Sequence, residues 1–256
     1  MPAELVYTKK YPNRCYTVCW NSLGNLVAGG ETLSLYYITQ KKSDIVPAAP
    51  TNHVSVSSTE HFSSVAELPI NSWISGDQMG YVSCFQAGTQ TGYRLCFYSP
   101  DLESGPVVEI NPQRAYYCHD IPTIGHRAPA FGQKLAILPS SQLIIVSNHL
   151  KKRLDIFSDK GQIMFFVEAK PGSCATGLHC LPDGSIIASF EANNEVVSYN
   201  LDIPGQKLNA NWTCGDLREP TGVSSDSAGY IYVSSRSAEC IYIISSKGGC
   251  LINNLT

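Results

Sequence analysis

The sequence predicts an all-β fold built from repeated small antiparallel sheets. Three observations carry this: a strand-rich composition, one strand–loop–strand unit recurring at a fixed spacing, and no stretch of helical periodicity. Of the 256 residues 43% are hydrophobic and only 15% charged, with 14 Tyr. Aromatic and β-branched side chains pack well on a pleated surface, whereas solvated helices draw on long charged residues. A chain of this length can bury a large core.

The unit is clearest near the end of the chain. Gly222-Val223 leads to a Ser-Ala-Gly turn at 227 to 229, an apolar strand at 230 to 233, a polar loop, a second strand at 241 to 244, and Lys247-Gly-Gly. The same order runs from Gly177-Leu178 through Pro182-Asp-Gly184 and strands at 185 to 188 and 196 to 199. It recurs in the turn at 139 to 141 and strands at 143 to 146 and 154 to 157. The step from the end of the first strand to the start of the second is eight positions each time: 146 to 154, 188 to 196 and 233 to 241. Equivalent turns at Ser141, Gly184 and Gly229 lie 43 and 45 residues apart.

Two weaker copies precede these. One spans Val18 to Ile38 around Leu23-Gly24-Asn25; the other spans Val65 to Cys84 around Pro69-Ile-Asn71, with a strand at Trp73-Ile-Ser75. Between this copy and the next lies extra material, residues 99 to 131, where Pro100, Pro106, Pro112, Pro122 and Pro129 interrupt any long regular element. It reads as a long Pro-rich insertion with room for one or two added strands. A unit every ~40 to 50 residues is the spacing of propeller blades. The expectation is a single β-propeller domain over residues 1–256, with five countable blades of about four antiparallel strands and a sixth either degenerate within 86 to 131 or lacking. Glu4-Leu-Val-Tyr7 is a candidate outer strand for closing the ring. A β-sandwich is the alternative, since it too gives short strands at regular intervals.

The segment Pro220 to Val233, PTGVSSDSAGYIYV, followed by Ile241-Tyr-Ile-Ile, resembles the NHL repeat of propellers, and Arg153 to Gln162, RLDIFSDKGQ, is similar to that repeat's second half. The letters that name the repeat fall just before the second strand, where Arg153 and Asn193 match; the literal Asn148-His149-Leu150 is out of register. The resemblance implies six blades and a domain of the kind found at the end of tripartite-motif ubiquitin ligases, where it reads a protein substrate or single-stranded RNA. No RING, B-box or coiled-coil segment is visible.

Function classes narrow as follows. A net charge of −3 and a pI near 6.1 give no chain-wide attraction to phosphate or anionic membrane. Residues 1 to 10 lack a signal-peptide core and no run is long enough to span a membrane, so the expectation is a cytoplasmic protein. The ten Cys are scattered singly, which reads as reduced, buried thiols. Sequons at Asn211 and Asn254 keep a secreted alternative open.

No nucleophile elbow, zinc helix, phosphate loop or Cys-x-x-Cys pair is present, so no enzyme activity and no cofactor are expected. Cys118, His119, Asp120 and His126 are the densest set of metal-type ligands, but adjacent residues of an extended chain point in opposite directions, and loop residues are the plainer reading. Glu191, Asn193 and Asn194 could imitate part of the calcium set of a lactonase-like propeller hydrolase; turn chemistry explains them better.

The loops before each second strand should share one face of a propeller. They carry Lys151, Lys152 and Arg153 in one unit, Asn193 and Asn194 in the next, and Arg236 in the last, with Arg218 nearby. This mixed-charge rim suits a protein or peptide partner; RNA would want basic loops in succession. The same three basic residues could also be plain solvated surface.

Overall fold

A computed structural model describes residues 134–149, 151–159 and 161–247 with their side chains and, elsewhere, chiefly the backbone of the strands named below. These strands form five antiparallel sheets, and no α-helix occurs among the described residues. Sheet I holds β1 (Cys15–Trp20), β2 (Leu26–Gly30) and β3 (Thr32–Ile38), with the short β4 (Ile45–Pro47) and β5 (His53–Ser55) sharing the far edge of β3. Sheet II holds β6 (Glu60–Leu68), β7 (Gly80–Ala87), β8 (Tyr93–Tyr98) and β9 (Val108–Ile110). Sheet III is β10 (Leu135–Leu138), β11 (Leu143–Asn148), β12 (Arg153–Phe157) and β13 (Ile163–Val167). Sheet IV is β14 (Gly177–Cys180), β15 (Ile186–Phe190), β16 (Glu195–Asp202) and β17 (Lys207–Cys214). Sheet V is β18 (Pro220–Ser225), β19 (Tyr230–Ser235), β20 (Cys240–Ser245) and β21 (Leu251–Leu255).

The five countable copies are thus five sheets, four of them four-stranded meanders in chain order. Two details of the sequence reading change. The strand that pairs with β6 is β7, with Leu68 opposite Gly80; the expected strand at Trp73 to Ser75 lies outside the described residues. The start of the Pro-rich insertion supplies β9, which pairs with β8 as the fourth strand of sheet II. Its remainder, with Cys118, His119, Asp120 and His126, lies outside the described residues, as does the segment Glu4 to Tyr7.

The chain divides into two compact units, Met1–Glu4 with Lys134–Ser158 and Gln162–Thr256, and Leu5–Gln133 with the hairpin tip Asp159–Gly161. In the first, sheets III, IV and V pack face to face. Strands β11 and β15 are buried along both faces, with Ile144, Ile145, Val146, Ile186, Ile187 and Ala188 all 0% exposed. A strand covered on both sides reads as a continuous apolar run rather than an alternating one, which is why the quartet 143 to 146 was so legible. Ile145, Leu154 and Ile156 of sheet III meet Leu178, Ala188 and Phe190 of sheet IV. Ile187 and Val196 of sheet IV meet Ile231, Val233 and Tyr242 of sheet V.

The tight turns follow from side chains that replace backbone partners. Asp183 Oδ1 accepts the Ser185 N–H at 2.8 Å, and Asp226 Oδ1 accepts those of Ala228 (3.0 Å) and Tyr230 (2.9 Å). Gly184 and Gly229 close these turns at φ 90° and 85°, a region that favours glycine. At the opposite end, the residue just before the third strand of each sheet is left-handed: Lys152 (φ 51°), Asn194 (φ 56°) and Glu239 (φ 49°). The three sheets therefore share a loop geometry as well as a spacing.

Candidate binding face

In a four-stranded meander the second strand ends, the third begins and the fourth ends at the end where the first began. The loops at 149 to 152, 191 to 194 and 236 to 239 therefore lie at one end of this unit, and so do the linkers between sheets, 168 to 176 and 215 to 219. Loop position in the repeat groups the first set; the second joins it because an even strand count returns the chain to the same end.

Buried hydroxyls stitch these segments together. Ser147 Oγ donates to the Ala175 carbonyl at 2.6 Å, Thr176 Oγ1 to that of Pro220 at 3.0 Å, and Ser189 Oγ to that of Thr221 at 2.7 Å. His149 Nε2 also reaches the Ala175 carbonyl, at 2.9 Å, so that nitrogen carries the proton and the buried Nδ1 is bare and unpartnered among the described residues. Lys170 of the first linker pairs with Glu195 at the start of β16.

Most of the expected contact residues have structural work of their own. Arg153 is the first residue of β12 rather than a free loop cation. Its Nε lies 2.6 Å from Asp155 Oδ1, and its guanidinium carbon sits 3.9 Å from the centre of the Phe166 ring. Asn193 Oδ1 accepts from Ser173 Oγ at 2.7 Å, and Asn194 Oδ1 from the Glu219 N–H at 3.0 Å. Arg236 joins sheet V to sheet IV through Glu191 (2.7 Å) and to the linker through Glu219 (3.0 Å). Glu191, Asn193 and Asn194 thus spend oxygens on joints between segments, as turn and loop chemistry would have them. Lys151, Lys152 and Arg218 are exposed. The Arg218 side chain extends from a segment fixed by its own backbone, whose N–H donates to Tyr242 Oη at 3.3 Å and whose carbonyl accepts from Ser235 Oγ.

The end is therefore mixed in sign, with exposed Lys151, Lys152 and Arg218 beside the Arg236–Glu191–Glu219 cluster. Ser173, Glu219 and Lys170 were not singled out from the sequence; their partners lie 17 to 25 residues away, a distance at which sequence carries no pairing signal.

The four described cysteines, Cys174, Cys180, Cys214 and Cys240, are free thiols. Cys180, Cys214 and Cys240 are buried, and burial pushes the Cys180 thiol up to about 12, so it stays protonated near neutrality.

Burial also lowers His149 below the ordinary histidine value of 6.5; the nearby charge of Lys134 adds to this, while the bond to Ala175 opposes it. Burial lowers His179 as well. Above 6.5 both folded and unfolded chains hold these rings neutral. Below it the unfolded chain binds protons that the folded one does not, so stability falls as pH drops from 6.5 toward the folded values. Chemical denaturation between pH 7.5 and 5 should show this loss. The variant His149→Gln, which keeps a donor for the Ala175 carbonyl, should flatten the slope; an unchanged slope would show that His149 does not contribute.

No protein-family model matches the chain, and no curated protein matches it in sequence. Solved structures do match in fold. A protein of unknown function from Bacteroides caccae aligns with 97% of this chain and 84% of its own at 12% identity, with a TM-score of 0.63. A functionally unknown protein from Desulfotomaculum acetoxidans DSM 771 aligns with 96% of this chain and 71% of its own, at 16% identity and TM-score 0.60. Sqt1 of Saccharomyces cerevisiae aligns with 98% of this chain at 12% identity and TM-score 0.55; the chain spans 61% of Sqt1's length. At these identities the likeness is one of fold. Among the described residues no helix is long and apolar enough to cross a membrane.

Proposed function

We propose that the five sheets are blades of an NHL-like β-propeller and that the loop end of sheets III to V binds a protein or peptide partner, as a substrate adaptor or interaction scaffold acting in the cytoplasm without chemistry of its own. The propeller reading is supported by sequential four-stranded meanders packed face to face. The observation that carries the binding reading is the loop end itself. Its backbone is fixed by buried hydroxyl and ion-pair joints, while Lys151, Lys152 and Arg218 stand exposed beside acidic neighbours. A rigid rim of both signs recognises an oppositely patterned surface at little ordering cost.

The test is capture of partners from lysate by the purified chain and by Lys152→Glu/Arg218→Glu, each with and without ribonuclease. Arg153 is left intact because it is bonded to a buried carboxylate. Protein partners that survive ribonuclease and fall about tenfold in the variant, a loss of about 1.4 kcal/mol, are the expected result. Retention of RNA that depends on both positions would transfer the face to single-stranded RNA. Equal recovery by both proteins would place binding elsewhere.

A further inference from the structure

One repeat position carries a charge that changes sign across the first unit. The residue just before the third strand is Lys152 in sheet III, Asn194 in sheet IV and Glu239 in sheet V, all exposed and all left-handed, at φ 51°, 56° and 49°. Sheet III packs on sheet IV and sheet IV on sheet V. Equal backbone geometry at equal places in stacked sheets therefore sets these positions in a row along the loop end, in the order basic, neutral, acidic.

The surroundings keep that order of signs. In sheet III, exposed Lys151 and Lys152 outnumber exposed Glu168 at the end of β13, and Asp155 is buried against Arg153. In the middle, Arg236 is shared between Glu191 and Glu219, one guanidinium between two carboxylates. Exposed Asp216 and Arg218 flank buried Leu217 in the linker before sheet V and offset each other. Cys174 marks the boundary between the two signs. Burial raises its thiol most, Lys152 lowers it and Glu191 raises it, so both charges reach the linker between sheets III and IV.

Stacked sheets lie about 10 Å apart, which puts Lys152 and Glu239 about 20 Å apart, and an extended chain rising about 3.3 Å per residue covers that distance in about six residues. Side chains of such a chain alternate in direction, so an even separation turns both charges toward the protein and an odd one turns one of them away. We infer that the binding face proposed above takes an extended peptide segment, with an acidic side chain over Lys152, a basic one about six residues along over Glu239, and uncharged residues between. Single-stranded RNA would set phosphates against Glu191 and Glu239 as well as against Lys152, which disfavours it here.

The probes are synthetic peptides of Ser, Thr and Val carrying one Asp and one Lys placed five, six or seven positions apart, in both orders. They are titrated at low salt into isotope-labelled full-length protein and followed by amide chemical shifts. Saturable shifts at the 149 to 152 and 236 to 239 loops together are expected, in the millimolar range because exposed ion pairs are weak, with the six-position peptide of one order binding about threefold or more tighter than the rest. The exchange Lys152→Glu/Glu239→Lys leaves the net charge unchanged and gives each position a residue type that the other already holds at nearly the same φ. It should fold as before and prefer the opposite order. No saturable shifts, shifts at one loop only, indifference to spacing, or an exchange variant that keeps the original preference would each overturn the proposal. So would a uridine octanucleotide that binds at the same amides more tightly than any peptide. Lysate capture that still depended on Lys152 and Arg218 would then leave the face to a folded partner; loss of that dependence would remove the face itself.

Discussion

Gly177→Ala should lower the melting temperature by about 6 to 12 °C, the equivalent of roughly 3 kcal/mol in a chain of this size, while Gly222→Ala should shift stability by no more than about 0.5 kcal/mol. The two glycines occupy the same repeat position, so propensity and turn chemistry predict equal effects. Packing does not. At Gly177 the new methyl would lie 2.1 Å from a backbone carbonyl, and sheet V would have to withdraw from sheet IV to admit it. That withdrawal would stretch the Ser189 to Thr221 bond and the Thr176 to Pro220 bond together. At Gly222 the nearest atom among the described residues is a serine hydroxyl on its own sheet, which can rotate away. Thermal melts of the two variants decide the matter. Equal losses would mean that the close approach of the Thr221 carbonyl is not what makes Gly177 sensitive.

The repeat was legible because burial on both faces leaves an unbroken apolar run, and because the turns at Gly184 and Gly229 need left-handed glycine. The equal spacing survives in the structure, but the step is five positions rather than eight: the second strands run on to Asn148, Phe190 and Ser235, and the third begin at Arg153, Glu195 and Cys240. Sheet II was harder. Its first strand is nine residues long, EHFSSVAEL, with polar residues interleaved, and the apolar Trp73-Ile-Ser75 nearby drew the reading away from β7. For the candidate site, residue type and loop position could be read, but partners could not. Asn194 accepts a bond from a residue 25 positions on, and Arg236 pairs with a glutamate 17 positions back. Each looked like an available contact because the sequence shows a side chain without its occupant. The sheet-to-sheet linkers were underrated for a different reason: the meander returns the chain to one end by topology alone, a consequence of strand count and not of any local motif.

Asp155 is the position where that distinction matters most for stability. It sits in RLDIF, the acidic residue of an otherwise apolar strand core, and a sequence reading has no means of telling a satisfied charge from an exposed one. It is 1% exposed, with Arg153 Nε at 2.6 Å on one oxygen and Asn148 Nδ2 at 2.7 Å on the other. Asn148 in turn holds the loop, its Oδ1 accepting the Lys151 N–H at 3.1 Å. Asp155→Ala should therefore cost about 3 to 5 kcal/mol, because it strands a guanidinium whose side chain is only 14% exposed and leaves a buried amide without its acceptor. Arg153→Met should cost less, since the methionine can keep the contact with Phe166 and the carboxylate retains Asn148. The pair Arg153→Met/Asp155→Leu should recover much of the loss, because a buried ion pair gives little over well-packed apolar side chains and is costly chiefly when broken by halves. Denaturant titration of these variants together with Asp155→Leu and the unsubstituted chain gives the coupling energy directly, through the cycle of Arg153→Met and Asp155→Leu. A double variant no more stable than Asp155→Ala would show that Asn148, and through it the 149 to 152 loop, is what the carboxylate chiefly supports. In that case the same substitution should also loosen Lys151 and Lys152 at the loop end, and amide exchange across residues 149 to 152 would report it.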